Sequence, residues 1–307
     1  MKNYKGIMYA ILASVAFGLM PIFAKAAYIN GSNPATVLLY RFSIAAIILF
    51  VYLKFKKVVL KVSRKQFLLL FFTGAIGYTI TTQTLFMSYN YLSVGLATTL
   101  HFIYPAFVCV LEYFLFKKNM SKAKVMSLMF AAIGVYALVA FENQTLSTMG
   151  LFLALFSGIS YGINVLMLAM KEIADIDNRV ITMYISFGAA AGMLVYGGAT
   201  GQIINKINLS LSLSYVLIAV VSTILSIIFL LKGIEIIGAS SASILGTFEP
   251  IVSIVMGIVL FGEKLTFALI LGTIFILIST IILSKDKNGD ETLEELIEHK
   301  SITKVKA

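Results

Sequence analysis

Charged and polar residues interrupt this chain at short intervals, and the stretches between them are apolar along their whole length. Ten such stretches stand out, at about residues 6–27, 34–53, 67–89, 93–116, 122–141, 149–170, 180–200, 212–231, 239–261 and 265–284. A membrane β-strand needs only about ten residues of strict alternation. These runs are about twice that length and do not alternate, so each predicts a helix. About 20 apolar residues cross the hydrocarbon core of a bilayer. The pattern therefore predicts an all-α membrane protein with ten transmembrane helices, and its short connections favour antiparallel neighbours. Lys2 and Lys5 ahead of the first run loosely mimic a secretory signal. That run is too long for a typical signal core and further spans follow at once, so it reads as an uncleaved first helix.

The chain also overlaps itself. At a shift of 145, Ala97, Leu100, Pro105, Val110, Leu115 and Phe116 meet Ala242, Leu245, Pro250, Val255, Leu260 and Phe261. At a shift of 144, Gly6, Ala10, Gly18, Tyr40, Ala45 and Ala46 meet Gly150, Ala154, Gly162, Tyr184, Ala189 and Ala190. Apolar chains match by chance, and the proline paired in the fourth helix of each half is the more telling coincidence. Residues 1–147 and 148–284 then form two five-helix halves, with a polar tail at 285–307. An odd number of spans per half makes the second half enter from the opposite side. That is an inverted-topology repeat, a common construction of secondary transporters, with substrate bound near the midplane.

Composition sharpens this. Sixty per cent of the 307 residues are apolar and 12% are charged, against about 45–50% and about 25% in soluble domains. Mean hydropathy is +0.97. The net charge of +10 does not point to nucleic acid, because the positive residues sit in short loops between apolar runs. Of the 24 Lys and Arg, 20 fall on the side of the N-terminus, three (Lys25, Lys206, Lys264) on the other, and Arg41 within a span. The positive-inside rule then places both termini in the cytoplasm, with the chain in the plasma membrane. The tail, acidic and then basic, reads as a solvated segment. Cys109, the one cysteine, lies within an apolar run and cannot form an intrachain disulfide. Trp is absent, leaving Tyr to the interfacial aromatic role.

A few polar residues interrupt the spans. An intramembrane charge costs about 2.5–3.5 kcal/mol by insertion scales and marks a functional or structural contact. Arg41 either clamps backbone carbonyls or a helix end, or binds a substrate carboxylate through its fork. Glu249 stands beside Pro250, which removes a backbone donor and frees a carbonyl. It reads as a proton-coupling or cation-binding carboxylate, or as a structural partner of Arg41. His101, Pro105 and Glu112 fall within one stripe of an unbroken helix, with His101 a candidate proton shuttle or a structural hydrogen-bonding group. Tyr104 is the repeat mate of Glu249. Pro105 and Pro250 are candidate hinges. Span three carries Tyr78, Thr81, Thr82, Gln83, Thr84 and Ser88; span six adds Ser157, Tyr161 and Asn164; span nine adds Ser243, Thr247 and Ser253. Such faces suit a hydrated cavity, with Tyr78, Tyr161 and Asn164 the candidate substrate contacts. Lys25, near a helix end, is expected to snorkel. Gly158/Gly162 and Gly188/Gly192 read as close helix packing. The sequence contains no metal motif, phosphate loop or nucleophile triad, and no cofactor or metal is expected.

Four stretches carry a resemblance. They are Ala13 to Gly18 with Lys25; Pro34 followed by Arg41-Phe42-Ser43-Ile44-Ala45; Ala97 to Pro105 continuing to Leu115-Phe116; and Ala239 to Pro250 ending in Leu260-Phe261-Gly262-Glu263-Lys264-Leu265. Together they resemble the drug/metabolite transporter superfamily, EamA type, over about residues 6–284. The resemblance implies a ten-helix exporter-type fold with a central cavity between two halves. Two departures stand out: Lys117-Lys118-Asn119 occupies the first-half place of Gly262-Glu263-Lys264, and Phe17 stands where the family often has tryptophan. The expected function is secondary active export of small metabolites such as amino acids by alternating access, with protons as a candidate coupling ion. The alternatives are a flippase for lipids or lipid-linked precursors on the same fold, and a non-transporting membrane sensor or enzyme. Scarce catalytic groups disfavour the enzyme. A monomer and a homodimer both fit the sequence.

Overall fold

The computed structural model describes residues 2–116, 120–141, 146–168, 170–173, 175–204, 208–237, 242 and 245–285. The expectations for Lys117-Lys118-Asn119, Lys206, Ala239, Ser243 and the 286–307 tail lie outside the described residues. Helices α1 (Lys2–Gly18) and α2 (Met20–Ile29) run on as one span, followed by α3 (Pro34–Phe55). Next come α4 (Arg64–Phe72), a π-helical turn (Thr73–Tyr78) and α5 (Thr79–Ser88), again one span. Then follow α6 (Val94–His101), α7 (Tyr104–Phe116), α8 (Lys122–Ala140) and α9 (Thr148–Leu168). The last are α10 (Asn178–Ala199), α11 (Leu209–Ala219), a second π-helical turn (Val220–Leu225), α12 (Ser226–Ile237), α13 (Phe248–Phe261) and α14 (Phe267–Ser284). Among the described residues, nine helices are long and apolar enough to cross a membrane, and α13 is a shorter apolar helix.

Local signals set the ends. Asn33 caps α3 by accepting from the Thr36 amide, with Pro34 in the first position, where its missing N–H costs nothing. Ser63 and Gln66 form a reciprocal capping box at α4. At α6, α8, α10, α11 and α14 the side chains of Ser93, Ser121, Asp177, Asn208 and Thr266 each accept one backbone N–H of the first turn. Gly262 ends α13 in the left-handed conformation, with φ of 64°, which glycine adopts without a Cβ clash.

The molecule is apolar outside and polar inside. Ile47, Val195, Leu213 and Phe152 lie exposed on helix faces, whereas Ser88, Thr99, Ser127, Ser157, Ser222 and Ser253 are fully buried. Lipid solvates the first group, and the second must find partners inside. Close contacts fix the helix directions. Ser127 bonds Ser279 at 2.8 Å. Farther along the same interface, a Cβ at Gly134 would lie 3.0 Å from the Gly272 carbonyl oxygen, and one at Gly272 2.8 Å from that of Gly134. Numbers rise on α8 as they fall on α14, so the two are antiparallel. By the same reasoning α1 is antiparallel to α12, since Gly6 abuts Ile237 and Ala10 abuts Gly233. Parallel neighbours also occur: Gly188 and Gly192 on α10 press on the carbonyls of Phe71 and Ala75 in span three.

Candidate functional site

Each π-helical turn adds a residue to its helix and so rotates the following face, a device frequent at functional sites. In both turns a threonine hydroxyl takes up a carbonyl five residues back: Thr79 donates to Gly74 at 3.3 Å and Thr223 to Ile218 at 3.1 Å. The first turn ends on Tyr78, and the second presents Ser222 and Thr223 inward.

Arg41, on α3, is 7% exposed. Its Nε donates to Thr223 Oγ1 at 3.0 Å. Because that hydroxyl has already spent its proton on Ile218, it can only accept from Arg41. The guanidinium lies 4.9 Å from the Phe42 ring centroid and 5.8 Å from that of Phe86, contacts that stabilise a desolvated cation by up to about 2 kcal/mol. Tyr89, Tyr78, Tyr161 and Glu249 are within electrostatic reach. No ion pair joins Arg41 to Glu249 among the described residues.

Tyr104 and Tyr161 meet edge-on at 4.7 Å between centroids, and Tyr78 stands 6.2 Å from Tyr161. The His101 ring is 5.4 Å from Tyr161 and 6.0 Å from Tyr104. Its Nδ1 is 2.8 Å from Ser157 Oγ, and Ser157 donates to the Ala154 carbonyl at 2.6 Å. Ser157 has one proton, so Nδ1 must be the donor to it, which leaves Nε2 as the acceptor of the neutral ring. Arg41, Tyr78, His101, Tyr104, Tyr161 and Glu249 thus gather from five spans into one polar cluster, with Arg41 and His101 buried and the other four half-buried. Asn164 is occupied elsewhere. Its amide donates to Thr81 at 2.9 Å, and its carbonyl oxygen packs on Gly77, tying span six to span three.

The prolines sit differently from the simplest expectation. The fourth span breaks at Phe102-Ile103, so His101 ends α6, while Pro105 is in the first turn of α7. His101 and Glu112 therefore do not share one continuous stripe, and Glu112 pairs with Lys124 at 3.0 Å. Pro250 likewise occupies the first turn of α13, so the helix starts just before it. Both prolines stand where an N–H would be orphaned anyway. The His101 carbonyl oxygen lies 2.8 Å from where a Cβ at Gly158 would be.

The two halves meet this cluster alike. A Cβ at Gly18 would come within 2.7 Å of the Glu249 carbonyl oxygen, and one at Gly162 within 3.6 Å of the Tyr104 carbonyl oxygen. Ser253 adds a bond to the Gly18 carbonyl at 3.0 Å.

At the end of the bundle that holds Ile29 and Val94, a cleft of about 550 Å³ opens between Lys25, Tyr89, Leu96, Glu263 and Leu269. Lys25 does not reach freely for water here. Its Nζ pairs with Glu263 at 2.7 Å and lies 5.0 Å from the Phe261 ring centroid.

Nothing in the sequence marks Tyr89, Thr98, Ser222 and Thr223 as members of the interior. Hydroxyl residues are common in spans, and only burial singles these out. Among the described residues, Tyr89 and Thr98 hydroxyls, Ser222 Oγ, both amide atoms of Gln83 and Arg41 Nη1 are buried without a hydrogen-bond partner.

A multi-helix membrane protein with a polar cluster at the meeting of its two halves is the class this architecture defines. The chain belongs to the EamA-like transporter family, whose description matches it twice, over residues 4–140 and 148–285. It is similar to the uncharacterized transporter YcbK of Bacillus subtilis, with 25% identity over 92% of this chain and 95% of that one. The uncharacterized inner membrane transporter YicL of Salmonella typhimurium shares 26% identity, with coverage of 92% and 96%. A solved crystal structure has the same fold, with a TM-score of 0.64 over 90% of this chain and 95% of that one at 13% identity.

Proposed function

We propose that this protein is a secondary active transporter that exports small metabolites, amino acids among them, across the cytoplasmic membrane by alternating access. In this reading ten helices form two inverted five-helix repeats, with both termini in the cytoplasm. The observation that carries it is the interior polar cluster of Arg41, the tyrosines, His101 and Glu249. It lies where Gly18 meets the Glu249 backbone and Gly162 meets the Tyr104 backbone. These are corresponding contacts of the two halves, and rocking one half on the other exposes such a cluster to each side in turn. The helix directions also support the reading. Antiparallel α8/α14 and α1/α12, with span three parallel to α10, are what ten alternating crossings require. Family membership points away from an enzyme.

In the transport cycle Glu249 is the proton-coupling group, Tyr104 and Tyr161 form the wall beside it, and His101 is held by Ser157. The Phe102-Ile103 break and the start of α13 at Phe248 are the flexing points next to Pro105 and Pro250. The test is uptake into proteoliposomes of a labelled mixture of amino acids, nucleobases and polyamines, with and without a pH gradient. Wild-type protein should enrich one class over empty liposomes. Glu249→Gln should fold and lose the response to the gradient. An unchanged response would remove Glu249 from coupling, and no enrichment of any class by folded protein would overturn transport of small metabolites.

A further inference from the structure

Arg41 presents an unusual combination. Its cation is permanent and buried, one edge is fixed by Thr223, and its Nη1 has no acceptor among the described residues. A guanidinium locked at Nε has its fork already oriented, so little rotamer freedom remains to be lost when an anion binds. Other buried polar groups of the interior are likewise unpartnered. The charge of Arg41 acts on Tyr89. Ser222 adjoins Thr223, the anchor of Arg41. Gln83 stands one turn before Phe86, whose ring faces the guanidinium. Buried polar atoms in native proteins nearly always have partners, and a cluster that lacks them calls for an explanation.

We propose that Arg41, with Tyr89, Thr98, Gln83 and Ser222, is a carboxylate subsite, so that the molecules this protein carries must bear a carboxylate group. The inference rests on the transporter reading and deepens it by naming the obligatory chemical group. One fixed guanidinium, with a free Nη1, matches a single negative charge with a planar pair of acceptor oxygens. A phosphate dianion carries a second negative charge that the single guanidinium of Arg41 does not match. Access is consistent with this: Tyr89 belongs to the subsite and also lines the cleft of about 550 Å³, a volume in the range of small-molecule sites. The opposite side of the cluster, with Tyr104, Tyr161 and Glu249, receives the rest of the molecule.

The test is counterflow in proteoliposomes with the full chain. Vesicles are loaded with the twenty common amino acids, and external competitors come in matched sets: each amino acid, its amide, and the amine left after loss of the carboxyl group. The carboxylate compounds should compete at least tenfold better than their amides and amines. Arg41→Gln should abolish that preference. Thr98→Val is the second variant, because it removes a buried hydroxyl within reach of Tyr89. A purely structural residue of this kind would change melting temperature without touching affinity. The subsite predicts severalfold weaker competition by carboxylates with the melting temperature unchanged or raised. Equal competition by amides, or unchanged affinity in Arg41→Gln or Thr98→Val, would overturn the subsite. If the protein moved only compounds without a carboxylate, transport would stand and this inference would fall. If it moved nothing in the panel, both would fall.

Discussion

Lys25 Nζ lies 2.7 Å from the same Glu263 oxygen that accepts the Val94 amide at 2.9 Å. One carboxylate oxygen thus serves a cation from the first span and an orphan N–H at the start of α6, while Ser93 takes the Leu96 amide beside it. The left-handed turn at Gly262 brings Glu263 there. Glu263→Ala should therefore destabilise the protein by about 1–3 kcal/mol, because a charged hydrogen bond and a buried amide lose their acceptor together. The charge-swapped double variant Lys25→Glu, Glu263→Lys should not recover wild-type stability, since lysine cannot accept from Val94. Thermal unfolding in detergent measures both.

Gly18 and Gly162 occupy corresponding places but tolerate different changes. A Cβ at Gly18 would sit 2.7 Å from both the Glu249 carbonyl oxygen and Val252 Cβ, whereas its nearest neighbour at Gly162 is 3.5 Å away. Gly18→Ala should cost about 1–3 kcal/mol through overpacking and slow transport by displacing Glu249. Gly162→Ala should leave melting temperature unchanged or raise it, given the about 1 kcal/mol helical advantage of alanine.

The Ser127–Ser279 bond ties α8 to α14 in an otherwise apolar interface. Either single change to alanine leaves the other hydroxyl unpaired, at about 1–3 kcal/mol. The double change should be nearly neutral. A double-mutant cycle by thermal unfolding reads the difference.

At the N-terminus of α10, the Arg179 side chain beside Asp177 holds the Asp177 carboxyl below its usual value of 3.8. The folded value is the depressed one, so the stability gained from the charge is fully present above about pH 3.8 and is lost as pH falls through the lower folded value. Asp177→Asn keeps a capping oxygen and removes the charge. Its deficit in melting temperature against wild type should be constant from pH 7 to pH 5 and shrink below pH 4.

The sequence by itself determined the class of fold, because a bilayer demands long apolar helices and leaves a periodic trace. The first span through α10 and its neighbours fall within a few residues of the expected ends. The family was legible in stretches such as Arg41 to Ala45 and Leu260 to Leu265. Arg41 and Glu249 were legible as candidates because charge inside a span is costly and therefore conspicuous. The tertiary structure alone decided what each candidate meets. Asn164 and Tyr161 lie one helical turn apart in sequence, yet Asn164 ties two spans together while Tyr161 joins the cluster. Lys25 found a carboxylate more than 200 positions away, and the π-helical turns, which have no residue signature, aimed Thr223 at Arg41. Thr98 and Ser222 look like any hydroxyl residue in a span. Only the burial of their neighbours leaves them unpartnered, and burial depends on which helices touch.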